Sequence, residues 1–237
     1  MPRHLILRLD APLMSFGAEM VDAYGVVRDF PARSAITGLI ANALGWERHQ
    51  AEAHGRLQAR LIMGSARVAE GRRIRDFQTA QLGAGDRGWT TRGVAEGRAG
   101  GAATYQSPHI RRRDADADAR VIVALRLDPA DEAPTLNDVA VALDRPERPL
   151  FIGRKPFLPS GPINAGFQDG ETIADALAAA LAKEKTATAR AQWPLGEGPD
   201  ARTPAIELTD ERNWLTGVHT GLRRVIEGKI ACSPADA

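Results

Sequence analysis

Hydrophobic and polar positions alternate in short, well-punctuated runs. Arg3–Leu9 carries apolar residues on both faces of a run too short for a helix and stops at Asp-Ala-Pro, the signature of a strand. Pro31–Leu44 changes period: Ile36, Leu39, Ile40, Ala43 and Leu44 fall at helical spacing, Pro31 suits a first turn, and Gly45 suits the left-handed residue that ends a helix. A polar helix is expected over Arg48–Leu57. Leu61–Val68 and Arg72–Gln81 read as strands joined by a turn at Glu70-Gly71. From Leu82 to Ser107 the period vanishes into a Gly-rich stretch with scattered arginines. That is too long for a routine connection, leaving a disordered linker or a functional protrusion. Pattern returns with a strand at Arg120–Leu127, a helix at Thr135–Leu143 and a short strand at Leu150–Ile152. An Ala-rich helix is expected at Ile173–Lys183 and a Gly/Pro loop at Trp193–Arg202. Pro204–Leu208 and Val218–Ile226 read as strands that pair in a small appendage.

The order strand, helix, strand, strand, then strand, helix, strand over the first two thirds predicts an α+β fold. It is of the ferredoxin-like or RNA-recognition-motif kind, with a long insertion at about 83–113. The boundary is placed at residue 163, with 164–237 a small C-terminal α/β part. The 237 residues suffice for a real core, and 43% hydrophobic with 26% charged residues excludes a disordered chain. No apolar run reaches the roughly 18 residues of a membrane span. Arg8 and Asp10 interrupt the apolar start, so it does not read as a signal peptide. The lone Cys232 can form no internal disulfide. Cytoplasmic residence is the expectation, with no membrane partner.

Charge changes the picture once it is located. The formal net is +1, but residues 1–113 hold 17 Arg/Lys against 10 Asp/Glu, while the remainder holds 14 against 20. Such asymmetry points to a polyanion-facing half and an acidic half, including Asp114, Asp116 and Asp118, that faces solvent or another subunit. Only Lys155, Lys183, Lys185 and Lys229 are lysines, so the basic residues are overwhelmingly arginine. That suits bidentate phosphate contact and base stacking, and equally follows from a GC-rich genome.

No phosphate-binding loop, nucleophile elbow, zinc-protease motif or paired-cysteine site is present, and the histidines lack ligand spacing. No cofactor is expected. A metal-independent ribonuclease would have His109 as general acid or base, with Tyr24 or Lys155 near it in space. A lone histidine in a basic loop is more often a phosphate or base contact, or solvated.

Three segments carry the chemistry of polyanion binding. Ser15-Phe16-Gly17 follows the first strand, and Arg28, Arg33 and Ser34 surround the N-terminus of the long helix, where free N–H groups and the helix dipole favour a phosphate. On the alternative reading Pro31 and Ser34 only start the helix, while Phe16 and Phe30 pack in the core. Arginines interleave with aromatic residues from Arg87 and Trp89 through Tyr105 and His109 to Arg111, Arg112 and Arg113, as single-stranded RNA requires. A solvated linker would carry the same charges incidentally. In Gly153-Arg154-Lys155 a glycine admits a phosphate close to the backbone and two cations neutralise it.

The segments LILRLDAPLMSFG, RDFPARSAITGLIANALG, RDFQTAQ and FIGRKPF, in that order, resemble the CasD family of the RAMP superfamily, the guide-RNA 5′-handle subunits of type I-E CRISPR Cascade complexes. The resemblance covers most of residues 1–163. It implies a ferredoxin-like domain with a thumb-like hairpin and a small C-terminal β part. It also implies a non-catalytic subunit of antiviral defence that holds the crRNA 5′ handle and caps the complex. Such a subunit touches the CasC backbone and large CasA subunits, and meets target DNA only through the complex. Related subunits of type I-C systems cleave precursor crRNA, which is the enzymatic alternative. Many family members carry a glutamine after the first strand, where this chain has Met14.

Overall fold

The computed structural model describes residues 1–20, 22–81, 109–199 and 204–232. Its first strand, β1 (Arg3–Asp10), buries Leu5, Leu7 and Leu9 on one face and His4 and Ile6 on the other, so it must lie inside a sheet covered on both sides. It pairs antiparallel with β9 (Arg120–Leu127) on one side and β10 (Asn164–Asp169) on the other. Beyond β9 lies β6 (Leu61–Ala69), so these four strands stand in the spatial order fourth, first, third, second. With α1 (Arg33–Ala43) and α2 (Ala51–Arg60) between the first two strands and α3 (Leu136–Asp144) between the last two, this is the expected ferredoxin-like α+β unit.

Ile36, Ile40 and Ala43 of α1 and Val139, Ala140 and Leu143 of α3 pack on Leu5, Leu7, Leu9, Val121, Val123 and Leu125. The opposite face of the sheet is covered by α4 (Ile173–Lys183). Thr172 and Asp175 form its reciprocal N-terminal cap, and its alanines allow close packing on Ile6, Ile122 and Ala124. Its boundaries are those the sequence predicts. Helix α2 lies three residues later than expected, and α1 begins at Arg33 rather than at Pro31.

The expected strand at Leu150–Ile152 is absent from the sheet. Ile152 donates its N–H to the Phe157 carbonyl at 2.8 Å across a tight turn and accepts from Ser15 N at 3.2 Å, so its backbone is committed to a loop. The fourth ferredoxin strand is β10, beyond the boundary placed at 163. The C-terminal part likewise continues the same sheet. Strand β11 (Thr188–Pro194) pairs with β6, and β15 (Arg223–Ala231) and β12 (Ile206–Leu208) follow it, giving seven strands. Trp193, expected in a loop, is buried in β11 at 2% exposure. The strand's Ala-Arg-Ala-Gln pattern is too weakly apolar to announce itself.

Strand β7 (Arg72–Ala80) leaves this sheet and pairs over its full length with β8 (His109–Ala117), forming a ribbon. It is flanked by the two-residue strands β2 (Leu13–Met14) and β4 (Tyr24–Gly25). Hence 109–113, placed in the insertion, belong to a regular strand, while 82–108 lie outside the described residues. Asp114 and Asp116, expected at the surface, are buried at 7% and 3% exposure. Asp116 binds Arg67 at 3.1 Å and Arg73 at 3.0 Å, and Asp114 binds Arg75 at 2.7 Å. Arg190 of β11 joins the cluster through Asp29 and Glu70. The basic and acidic halves are therefore interleaved in space, and this cluster links the ribbon to the main sheet.

Candidate nucleic-acid interface

Three separated segments meet beside α1. The strand β3 (Phe16–Gly17) pairs with β5 (Val27–Arg28), which holds Ser15 and Gly17 at the mouth of a cleft. The Gly153-Arg154 turn closes on Ser15 from the other side. Gly153 has φ +93°, and a β-carbon there would overlap the Ser15 carbonyl oxygen, so the position takes glycine on both counts. One side of α1 supplies Ser34, Gly38 and Asn42 to the lining of the cleft. Together with Phe151 these segments line a cavity of about 470 Å³.

The fourth wall comes from the C-terminal hairpin of β13 (Glu211–Arg212) and β14 (His219–Thr220). Gln58 on α2 clamps it. Its side chain donates to the Arg212 carbonyl at 3.1 Å and accepts from Arg212 N at 3.0 Å and from Trp214 Nε1 at 3.2 Å. Arg212, Trp214 and His219 thereby reach the cavity. A second cavity of about 300 Å³ shares Gly38, Asn42, Phe151, Arg212 and Trp214 with the first and continues to Trp46, Arg48 and His54. In it the Arg212 guanidinium lies 5.5 Å from the Trp214 ring, which is 4.7 Å from His54, itself 5.5 Å from Trp46. The result is one groove along α1, walled by aromatic rings and arginines.

Arg154 joins the groove to the ribbon. It rests 5.3 Å from the buried Phe157 ring and donates to the Asp114 carbonyl at 2.8 Å. Its nearest carboxylate, Asp76, is 3.9 Å away. Burial, and then the neighbouring Arg113, push its proton affinity below the ordinary arginine value, so an anion placed between the two would relieve real repulsion. Arg113 and Arg111 share the outward face of β8 and have no carboxylate partner among the described residues. The geometry offers a strand of positive charge leading from the ribbon past Arg154 into a groove with stacking surfaces, which is what a single-stranded polyanion with flat bases needs.

The family model described as CRISPR-associated protein (Cas5) matches residues 4–226. The chain belongs to this family. A search of curated protein sequences gave no match. The fold of this Cas5 chain is similar to that of a chain in a structure described as "CRISPR RNA-guided surveillance complex", with TM-score 0.69 and 19% identity over 98% of this chain and 92% of that one. It is also similar to one described as "Crystal structure of Cas protein", with TM-score 0.60 and 20% identity over 97% and 95% of the two chains.

The residues picked out from the sequence of this Cas5 chain divide by location. Ser15, Gly17, Ser34, Gly153 and Arg154 line the groove, and Lys155 is exposed on the turn beside it. Phe16 is buried in the core at 4% exposure. The N-terminus of α1 is not open to a phosphate. Its Arg33 N–H donates to the Asp210 carboxylate at 3.1 Å and its Ser34 N–H to the Asp210 carbonyl at 3.0 Å. Arg33 itself pairs with Glu211 at 2.6 Å, and Arg28 pairs with Glu19. Arg28 faces a different, acidic cavity lined by Asp29, Glu207, Asp210 and Glu227. Arg111 and Arg113 lie on one face of β8, Arg112 on the other, and His109 opens the strand. Arg87, Trp89 and Tyr105 lie outside the described residues. Arg212, Trp214 and His219 were missed. The adjacent Arg-Asn-Trp and the turn glycine Gly217 are their only sequence signal, in a region whose net charge directed attention elsewhere. Among the described residues no cluster of His, Cys, Asp and Glu is placed to hold a metal ion, and no helix is long and apolar enough to cross a membrane.

Proposed function

We propose that this Cas5 protein is a non-catalytic subunit of a CRISPR RNA-guided surveillance complex that holds the single-stranded 5′ handle of the guide RNA. The observation that carries the reading is the convergence of the Gly153-Arg154 turn, β3, α1 and the Arg212–Trp214 hairpin on one groove, with Arg111 and Arg113 at its approach. The likeness of fold to a chain of such a complex supports it. The FPARSAITGLIANALG and FIGRKPF segments support placement in a type I-E, Cascade-type assembly of antiviral defence. There the subunit would cap the complex in the cytoplasm, against the CasC backbone and large CasA subunits, and would meet target DNA only through the assembly. A binding role is preferred to cleavage because Tyr24, one of the two partners a metal-independent ribonuclease would offer His109 besides Lys155, projects from the opposite face of the ribbon: Tyr24 meets Arg112, three residues from His109 on β8.

The test is co-purification. Co-expressed with guide RNA and partner subunits, the Arg154→Glu/Lys155→Glu variant is expected to lose the RNA that accompanies the wild-type chain. Retention of guide RNA at the wild-type level would overturn the assignment.

A further inference from the structure

The ribbon has a second face that the groove does not use. Phe77 of β7 lies opposite Arg112 of β8, and Tyr24 of β4 is in register with Arg112 from the other side, so the three side chains form a row across adjacent strands. The Arg112 guanidinium lies 5.1 Å from the Tyr24 ring and 5.9 Å from the Phe77 ring, and it donates to the Tyr24 hydroxyl. Arg75, two residues before Phe77 on β7 and held by Asp114 at 2.7 Å, also reaches to 5.8 Å from the Tyr24 ring. Both rings remain open, Tyr24 at 41% and Phe77 at 56% exposure.

We infer that Tyr24, Arg112 and Phe77 form a stacking platform for unpaired RNA bases, on the opposite face of the ribbon from Arg111 and Arg113. Strand spacing puts the two rings about 10 Å apart, with the guanidinium between them, room for two splayed bases. The backbones beneath the row are tied together, since Arg112 N also donates to the Ala23 carbonyl at 2.8 Å. Arg75 is neutralised by Asp114, but Arg112 has no carboxylate partner among the described residues, so the platform is cationic as well as aromatic. Positive charge on both faces of one ribbon favours a polyanion that wraps its edge over a protein partner that covers one side. The inference rests on the RNA-binding reading above and adds a site to it.

The experiment uses the full-length chain and a short single-stranded RNA carrying 2-aminopurine, alongside an RNA of the same length with abasic nucleotides. Wild type is expected to quench 2-aminopurine at one or two positions. Phe77→Ala should abolish the quenching and weaken binding of the base-bearing RNA by about five- to a hundredfold, while affinity for the abasic RNA holds. Phe77→Trp should restore both. The ring is exposed, so its truncation leaves the fold intact by circular dichroism. Equal loss on both RNAs, or no change on either, would overturn the platform while wild-type binding upholds the RNA reading. Wild type failing to bind either RNA would sink both. A Phe77→Ala chain that keeps RNA but fails to assemble with partner subunits would reassign the row to a protein contact and overturn the proposal.

Discussion

Gly153 lies so close to the Ser15 carbonyl oxygen that any β-carbon at 153 would overlap it, and its backbone is in the left-handed region at φ +93°. The contact joins the loop after the first strand to the Arg154 turn, two segments far apart in sequence, and fixes one end of the groove. Gly153→Ala is therefore expected to cost about 1–3 kcal/mol from the backbone conformation, with the clash added to it. Urea denaturation reads that loss. Guide-RNA retention should fall with it even under conditions where the variant remains folded, because Arg154 is displaced with the turn.

Salt dependence separates the groove's charges from its rings. Each phosphate contact removed from a single strand lowers the slope of log affinity against log salt by about 0.7. Arg113→Ala is expected to flatten the slope by about that amount for an RNA strand. Trp214→Leu should weaken binding without changing the slope. A slope unaltered in Arg113→Ala would remove that residue from the path of the RNA.

Gln58 holds the hairpin that carries Arg212 and Trp214 through three hydrogen bonds. Replacing it with leucine leaves the Arg212 backbone groups and the Trp214 indole without this partner. The expected cost is about 1–3 kcal/mol, concentrated in the hairpin. Hydrogen exchange should show faster exchange over 211–220 with little change in β1 or β9, together with altered tryptophan fluorescence. Uniform loss of protection across the sheet would mean that the hairpin is part of the global unfolding unit.

The Arg67–Asp116 pair is buried on both sides, at 2% and 4% side-chain exposure. Asp116→Ala leaves the Arg67 charge in the interior with Glu70 and backbone carbonyls as its remaining partners, and is expected to destabilise the protein by about 3–5 kcal/mol. A shift in urea midpoint at constant slope is the measurement. A smaller effect would show water entering to solvate Arg67.

Asp116 and its neighbour Asp114 show where the sequence was legible and where it was not. Local periodicity sufficed for β1, α1, β6, β9 and α4, because each buries a regular stripe against the core. It failed for β11, whose Ala, Arg and Gln positions satisfy neighbours rather than a pattern, and for Ile152, whose apolar side chain belongs to a turn. Net charge by segment misled for Asp114 and Asp116. Ion pairs form across strands, and the partners of one half lie in the other. At the candidate site, glycine next to two cations drew attention to the Gly153-Arg154 turn, and that turn lines the groove. The α1 N-terminus looked like an anion site only because Asp210, 177 residues from Arg33, could not be foreseen as its cap.

Acidification should destabilise the fold in two separate windows. His4 is fully buried in β1, and burial, followed by the Arg126 charge, pushes its pKa below the ordinary histidine value. The unfolded chain therefore takes up a proton below about pH 6.5 that the folded chain refuses, and stability declines from there until the folded imidazole itself titrates. The carboxylates act lower. The Arg75 hydrogen bond holds Asp114 below the usual aspartate range, and the Arg190 hydrogen bond does the same for Glu70. Burial alone would raise Asp29, but its bonds from Arg73 and Arg190 outweigh it. Depressed carboxyl pKa values contribute stability that is complete above about pH 4–5 and is lost as pH falls through the folded values. Urea midpoints measured from pH 7.5 downward should show both declines. His4→Leu is expected to flatten the first and keep the second, while Asp114→Asn reduces the second alone; a first decline that persists in His4→Leu would assign it to another histidine.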